Sequence, residues 1–276
     1  APRSSRWSRP AATTRAASRD VELVPIEINC KLDLVTGYRS LIDEASKRPV
    51  CCKRNCITGH FAFLWKKLAT LLGLKTEVIA HPGTDNGIPA SWRRGVQADL
   101  IEQRLKADTG HAIKAVCVVH NETSTGVTSN IAAVRRAIDA ARHPALLLVD
   151  TISGLASADY RHDEWGVDVS ISGSQKGLML PPGISFNALS PRAIEASKSA
   201  KLPKAFWAWD EMIEMNKTGY WPSTPNTNLL YGLSEACDMI LGQGLNAVFA
   251  RHLRWAEGVR AAVRAWGLPI QCADAS

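Results

Sequence analysis

The chain from Gly59 onward alternates between segments with helical periodicity and short segments made almost wholly of apolar residues. Apolar residues that recur every three or four positions predict amphipathic helices. These helices are predicted over residues 61–74, 97–107 and 129–143. Glycine favours helix C-termini and hydroxyl side chains favour N-termini. We therefore place the end of the first helix at Gly73 and the start of the third at Ser129 or Thr128.

Four short apolar segments, rich in valine, leucine and isoleucine, predict buried strands. They cover residues 75–80, 114–120, 144–150 and 167–173. Because these strands alternate with helices, the pattern predicts an α/β fold with a mostly parallel central sheet flanked by helices. The sequence before residue 59 is mixed, with one strand predicted over 22–28 and one helix over 38–47.

Polar residues follow three of the predicted strands at the point where each strand ends. They are the segment 120–123 (HNET), Asp150 and the segment 174–176 (SQK). Parallel sheets bind ligands beyond the carboxyl ends of their strands. We therefore expect these polar residues to share one crevice.

Asp150 and Lys176 have two interpretations from their spacing alone. Burying an ionised aspartate at the end of an apolar strand costs several kcal/mol unless a cation or hydrogen-bond donors meet it. A direct ion pair with Lys176 would meet that need and would be structural. Alternatively, both residues face pyridoxal phosphate. The lysine amine then forms a Schiff base with the aldehyde, and the aspartate keeps the pyridine nitrogen protonated.

Four segments closely resemble the serine–glyoxylate and alanine–glyoxylate aminotransferases of the class V, fold type I group. They read ETSTGV (122–127), LLLVDTIS (146–153), DEWGVDVSISGSQKGLMLPPG (163–183) and TPNTNLLYGLSEACDMI (224–240). The resemblance extends from about Gly59 to Gly267. It implies the large domain of a fold type I transferase that uses pyridoxal phosphate to move an amino group from serine or alanine to glyoxylate. It also implies a homodimer with shared sites.

The resemblance assigns roles to five residues near the predicted strand ends. Lys176 forms the Schiff base and carries the proton between substrate and cofactor. Asp150 pairs with the pyridine nitrogen, and Thr123 hydrogen-bonds the phenolic oxygen of the ring or atoms near it. Gln175 and Ser174 lie against the phosphate.

Three further residues match cofactor-binding positions of the family. Phe61 falls where relatives have an aromatic ring stacked on the cofactor, although its place in an amphipathic helix explains it equally well as a core residue. Thr224 matches a threonine that reaches the phosphate bound by the partner subunit. Trp221 stands where relatives have a tyrosine or phenylalanine.

Two parts of the family pattern are not found. Residues 38–58 contain no glycine, whereas relatives have a glycine-containing loop whose backbone N–H groups hold the phosphate. The arginine that binds the substrate carboxylate has no counterpart. Arg251, Arg254 and Arg260 fall on a predicted helix, 244–267, and indicate a solvated face. The alternatives are a truncated, non-catalytic remnant that at most binds cofactor or a partner chain, and a class V desulfurase or lyase.

We divide the chain into three parts. Residues 1–58 are a divergent basic head, poorly ordered in part, 59–243 are the pyridoxal-phosphate-binding large domain, and 244–276 begin a truncated C-terminal small domain. The net charge of +7 does not indicate nucleic-acid binding, because the head alone carries 11 Lys and Arg against 6 Asp and Glu. A targeting segment, a shifted reading frame and a true divergent head all stay open as explanations of residues 1–58.

The cysteines and the hydropathy place limits on other classes of site. Cys51, Cys52 and Cys56 have half of a metal-site spacing, with His60 the only further ligand nearby. We expect no metal site and interpret the thiols as incidental residues of a reducing, cytoplasmic protein. No apolar run approaches the ~18–20 residues that a membrane span needs, so no membrane association is expected.

Overall fold

The computed structural model describes residues 22–26, 54–56, 58–85, 87–200, 202 and 208–273. The strands in them are β1 Glu22–Ile26, β2 Arg54–Cys56, β3 Val78–Ile79, β4 Thr84–Asp85, β5 Ile88–Pro89, β6 Ala115–Val119, β7 Asn121–Glu122, β8 Val127–Thr128, β9 Leu146–Asp150, β10 Val169–Gly173 and β11 Ser185–Leu189. The helices are α1 His60–Leu71, α2 Ala98–Lys106, α3 Ile131–Ala140, α4 Pro191–Lys198, α5 Trp209–Lys217, α6 Thr227–Gln243 and α7 Leu245–Ala265, with a 3₁₀ turn at Ala90–Trp92.

A seven-stranded sheet forms the centre of this described part, in the order β1-β11-β10-β9-β6-β2-β3. From β10 to β3 all neighbours run parallel. β11 runs antiparallel to both β10 and β1. The carboxyl ends of β6, β9 and β10 therefore meet at one edge of the sheet.

Successive residues of the central strands point alternately into two apolar cores, one on each face of the sheet. In β9, Leu148 contributes to the core that α1, α4 and α5 cover, whereas Leu147 and Val149 contribute to the core that α2 and α3 cover. Asp150 is two residues after Leu148. Its side chain therefore lies on the α1 face, where Trp65 is buried.

The start of α3 differs from the sequence prediction. Asn130 caps the helix, because its side-chain oxygen accepts a hydrogen bond from the backbone N–H of Ala133 at 2.9 Å. The predicted caps, Ser129 and Thr128, do not fill this place. The hydroxyl of Ser129 instead accepts from the backbone N–H of Val96 at 3.3 Å.

The predicted α/β fold with a mostly parallel sheet is confirmed. The other elements predicted after residue 59 are present as α1, α2, β3, β6, β9, β10 and α7. Gly73 has a φ of 81°, the left-handed conformation that ends α1. The sequence pattern does not predict β11, α4, α5 or α6. None of the described helices has the length and apolar character that crossing a membrane requires.

Two strands of the central sheet come from the predicted head. β1 corresponds to the strand predicted over 22–28 and pairs with β11 along its whole length. β2 lies between β3 and β6. The predicted helix 38–47, the basic segment 1–19 and the cysteines at positions 51 and 52 lie outside the described residues. The domain boundaries after residues 58 and 243 stay a prediction.

Candidate functional site

Asp150 lies between two neighbouring strand ends. It pairs with Val119 of β6 on one side and with Ile171 of β10 on the other. The ladder continues past the strands, because the backbone N–H of His120 donates to the Asp150 carbonyl at 2.9 Å. The backbone N–H of Thr151 likewise donates to the Ile171 carbonyl at 2.8 Å. These bonds fix the position of Asp150 in the middle of the polar edge.

The carboxylate of Asp150 is buried and held by two N–H donors. The indole Nε1 of Trp65 donates to Oδ2 at 3.1 Å, and the backbone N–H of Ile152 donates to Oδ1 at 2.9 Å. Burial raises the pKa of Asp150 to about 6, the two hydrogen bonds oppose that rise, and the nearby charge of Glu122 adds to it. Among the described residues no lysine, arginine or histidine forms an ion pair with Asp150, so the direct ion pair with Lys176 is not formed.

Lys176 is exposed on the loop that follows β10. The loop is held against the turn that follows Asp150, because a Cβ at Gly177 would lie only 2.0 Å from the carbonyl oxygen of Leu155. Leu178 is buried in a small apolar cluster with Ala156 of that turn. Glycine at position 177 thus lets the two loops touch, which brings Lys176 to the same edge as Asp150.

Ser174 and Gln175 connect β10 to Lys176. The hydroxyl of Ser174 donates to the carbonyl of Pro181 at 2.8 Å and accepts from the backbone N–H of Ile184 at 3.2 Å. Ser174 is fully buried, so its side chain shapes the loop from within. Gln175 is half-buried, and its side-chain oxygen lies within 2.8 Å of the place that a Cβ at Gly173 would take.

Phe61 lies in the first turn of α1 with 41% of its surface exposed. The completely buried Glu122 fixes this turn, since its carboxylate accepts from the backbone N–H of Phe61 at 3.3 Å and of Ala62 at 3.0 Å. A Cβ at Gly59 would lie 2.5 Å from Cγ of Glu122. The glycine is therefore required for this close contact between α1 and β7.

The remaining predicted site residues occupy two other places. Thr123 is exposed in the turn after Glu122, next to the polar edge. Thr224 is exposed and Trp221 half-buried in the segment before α6. Within the described part of the chain, no hydrogen bond or ring contact joins either of these two to Asp150 or Lys176.

Comparisons with known proteins agree with this arrangement of fold and site. Residues 57–268 match the family model for class-V aminotransferases. The chain belongs to this family. It is 48% identical over 212 residues to an L-aspartate–glyoxylate aminotransferase of Paracoccus denitrificans, and 47% identical over 214 residues to a serine–glyoxylate aminotransferase of Hyphomicrobium methylovorum. Each match covers 77% of this chain and 51% of the relative, so the chain spans about half the length of these curated relatives.

A solved structure supports the same fold. The pyridoxamine–pyruvate aminotransferase from Mesorhizobium loti matches with a TM-score of 0.77 and 25% sequence identity. The match covers 91% of this chain and 61% of that one. The seven-stranded sheet of this class-V aminotransferase chain is thus the sheet of a fold type I aminotransferase.

Sequence reasoning assigned no role to two residues that hold this polar edge together, Trp65 and Glu122, although it placed the segment 120–123 at the edge. Trp65 is four residues after Phe61, so both lie on one face of α1. With Phe61 already assigned to the cofactor, that spacing could have indicated that Trp65 reaches the same strand end. Glu122 could have been found as the acidic residue next to a helix N-terminus only once the fold was known.

Proposed function

We propose that this chain forms the cofactor-binding part of a pyridoxal-phosphate-dependent aminotransferase that moves an amino group from serine or alanine to glyoxylate. One observation carries the proposal. Asp150 is a buried carboxylate to which the described residues supply no cation, and Lys176 follows the neighbouring strand at the same sheet edge. Family membership and the printed names of the relatives support the reaction class.

The residues at this edge fit pyridoxal phosphate. When bound, the cofactor supplies an aldehyde that condenses with amines and a pyridinium ring that draws electrons from the substrate. The carboxylate of Asp150 is a fixed anion that could accept a hydrogen bond from the protonated ring nitrogen. Each of its oxygens accepts one hydrogen bond and keeps a second acceptor position, so neither Trp65 nor Ile152 has to be displaced.

Lys176 is the proposed catalytic residue. Its exposed amine would hold the cofactor as a Schiff base and would move a proton to and from the α-carbon of the substrate. The contact between Gly177 and Leu155 fixes the peptide that follows Lys176. The position of the Lys176 backbone, and with it the region that the amine can occupy, is therefore fixed by the packing of two loops.

Four further residues surround the proposed cofactor. Phe61 would cover one face of the ring with its exposed side chain, and the hydroxyl of Thr123 would donate to the phenolic oxygen. Gln175 and Ser174 would lie beside the phosphate. Because Pro181 already accepts the hydroxyl proton of Ser174, that residue contributes through the shape of the loop.

Phosphate binding cannot use the first turn of α1, because Glu122 already accepts from the N–H groups of Phe61 and Ala62. The proposal therefore takes Thr224 and Trp221 from a second copy of the chain, in a homodimer with shared sites. Large exposed side chains next to Trp221 and along α6 support such an interface. They are Tyr220, Tyr231, Met239 and Leu241.

The proposal also covers the amino donor and the cellular compartment. One relative is named for aspartate and one for serine, which leaves serine, alanine and aspartate as donors to compare. A desulfurase or lyase, and a remnant that only binds cofactor, are the alternatives. The free thiols of Cys237 and Cys272 support a reducing, cytoplasmic environment.

The test begins with pyridoxal phosphate added to the purified chain. We expect an absorbance band at the edge of the visible range and, after reduction with borohydride, a cofactor label that peptide mass spectrometry locates on Lys176. Lys176→Ala should lose both. Lys198→Ala, which removes an exposed lysine paired with Glu195 on α4, should keep both. A label on another lysine, or no band with the wild-type chain, contradicts the proposal.

Turnover then separates the alternatives. Glycine formed from serine and glyoxylate, with hydroxypyruvate as the second product, identifies the aminotransferase. Cofactor binding without any turnover identifies the non-catalytic remnant. Alanine formed from cysteine with release of sulfur identifies a desulfurase.

A further inference from the structure

Trp65 satisfies its buried indole N–H at the carboxylate of the proposed site. Its ring is 2% exposed and packs in the apolar core under α1, yet its indole Nε1 donates to Oδ2 of Asp150 at 3.1 Å. The other oxygen, Oδ1, accepts from the backbone N–H of Ile152 at 2.9 Å. The carboxylate is thus held at both oxygens by donors from two different segments, so it cannot rotate without breaking one of the bonds.

The packing of α1 fixes where this donor lies. Asp150 points to the same face of the sheet as Leu148, and Leu148 belongs to the apolar cluster that contains Trp65. Glu122 holds the first turn of the same helix through the backbone N–H groups of Phe61 and Ala62. Helix α1 therefore presents Phe61 at the sheet edge and, one turn later, the indole N–H at Asp150.

We propose that Trp65 is a positioning residue for the cofactor, whose indole N–H orients the Asp150 carboxylate toward the cofactor ring nitrogen and stabilises its charged form. This inference rests on the proposed function. It adds a residue that contacts no substrate and acts through Asp150.

The electrostatics of the site explain why Asp150 needs such a donor. The pKa of Asp150 is raised to about 6, mainly by burial, and the neighbouring Glu122 charge contributes to that rise. The hydrogen bonds from Ile152 and Trp65 favour the charged form and act against this rise. Without the indole N–H, a larger fraction of Asp150 is neutral near neutral pH, and a neutral acid does not hold a pyridinium ring.

A second tryptophan of the same core provides the matched control. Trp209 is 1% exposed and belongs to the same apolar cluster as Trp65. Its Nε1 has no hydrogen-bond partner among the described residues. Replacing either ring by phenylalanine removes an equal volume and one N–H group, but only the change at Trp65 removes a bond to Asp150.

The first experiment measures the pKa of the Asp150 carboxyl by ¹³C NMR on the chain without cofactor, with Asp150→Asn to assign the signal. We expect Trp65→Phe to raise this pKa by about one pH unit, and Trp209→Phe to leave it unchanged. Equal values in the two variants overturn the inference. If Trp65→Phe does not fold, 3-benzothienylalanine at position 65 keeps the ring shape, removes the N–H, and takes its place.

The second experiment measures the dissociation constant of pyridoxal phosphate by absorbance. Trp65→Phe should weaken binding about 3- to 10-fold relative to Trp209→Phe. Equal affinities together with strong wild-type binding refute the role of Trp65 and leave the proposed function standing. No binding by the wild-type chain refutes the proposed function and, with it, a role toward this cofactor, whatever the pKa shows about the Trp65–Asp150 bond.

Discussion

Two buried aspartates lie at opposite edges of the sheet of this chain, and their surroundings differ. Asp168, just before β10, is 2% exposed and accepts from the backbone N–H of Leu147 at 2.8 Å. Arg135 and Arg192 approach its two oxygens at 3.7 and 3.5 Å. Asp150, at the end of β9, is 6% exposed and has two N–H donors but no cationic side chain among the described residues.

The difference shows which carboxylate the fold uses for its own stability. The chain supplies the counterions of Asp168, so that residue connects β9, β10, α3 and α4 at the amino ends of the strands. The described residues supply no counterion to Asp150, which lies at the edge where parallel sheets bind ligands. A buried charge without a counterion is expected to lower the stability of the fold. It is also expected to bind a cationic group of a ligand.

Replacing Asp168 should have the largest effect on stability. In Asp168→Asn, Arg135 keeps its ion pair with Asp139 but loses the buried carboxylate, and the new amide group places an N–H donor against the groups that donate to Asp168. We expect the free energy of unfolding to fall by about 3 kcal/mol, measured by urea denaturation. Asp150→Asn should change it by no more than about 1 kcal/mol near neutral pH, because a lost bond and a removed buried charge offset each other. Equal losses in the two variants would remove the contrast.

The dependence of stability on pH gives a second contrast. The pKa of Asp150 is about 6 in the folded chain and ordinarily 3.8, because burial disfavours the carboxylate. Between about pH 4 and pH 6 the folded state keeps a proton that the unfolded state has released, so stability falls as pH rises through this window, by roughly 3 kcal/mol.

Asp150→Asn removes this contribution. The free energy of unfolding of the wild type, minus that of Asp150→Asn, should therefore decrease between about pH 4 and pH 6 and stay constant above that window. Urea titrations at closely spaced pH values measure the difference. A difference that is flat over the whole range would show that Asp150 keeps its ordinary pKa.

Replacing one glycine in the loop beside each aspartate tests the two loops separately. Gly177→Ala places a Cβ 2.0 Å from the carbonyl oxygen of Leu155, so the loop that bears Lys176 must move, and affinity for pyridoxal phosphate should fall about 10-fold or more. Gly166→Ala, near Arg135, strains a φ of 57° and should cost about 1 kcal/mol of stability without changing that affinity. Spectroscopic titration and urea denaturation measure both. An unchanged affinity in Gly177→Ala would contradict the loop contact.

Two neighbouring threonines give the smallest expected effects. Thr123→Val removes an exposed hydroxyl assigned to the cofactor and should weaken its binding about 3- to 10-fold with no change in stability. Thr125→Val removes the bond from the buried Thr125 hydroxyl to the Thr58 carbonyl at 3.0 Å. That change should cost about 1 kcal/mol of stability and leave cofactor binding unchanged. The reverse pattern would exchange the roles of the two residues.

The sequence predicts those parts of the chain that carry a clear local signal, such as an apolar run or a segment typical of the family. The apolar run before Asp150 predicts both the strand and the edge at which it ends, and the segment around Lys176 resembles the family closely enough to assign its lysine. β11 is missed because two of its buried positions, Ser185 and Asn187, are polar and break the alternation that predicts a strand.

The contacts that hold the site depend on tertiary structure and are only weakly indicated by the sequence. Glu122 caps a helix that begins 62 residues earlier in the chain, and Trp65 reaches an aspartate 85 residues later. Residues so far apart in sequence share no local pattern that could indicate their contact. Asn130 replaces Ser129 as the cap of α3 because the Ser129 hydroxyl is occupied by Val96, a contact that also depends on the fold.

The affinity of Asp150→Asn for pyridoxal phosphate measures whether the Asp150 carboxylate holds the cofactor ring. Titrations of the wild type, Asp150→Asn and Asp168→Asn are compared under conditions in which circular dichroism shows all three to be folded. We expect Asp150→Asn to bind about 10- to 100-fold more weakly than the wild type, because a charge-assisted hydrogen bond to the ring is lost, and Asp168→Asn to bind as the wild type does. Equal affinity in the wild type and Asp150→Asn would contradict this expectation.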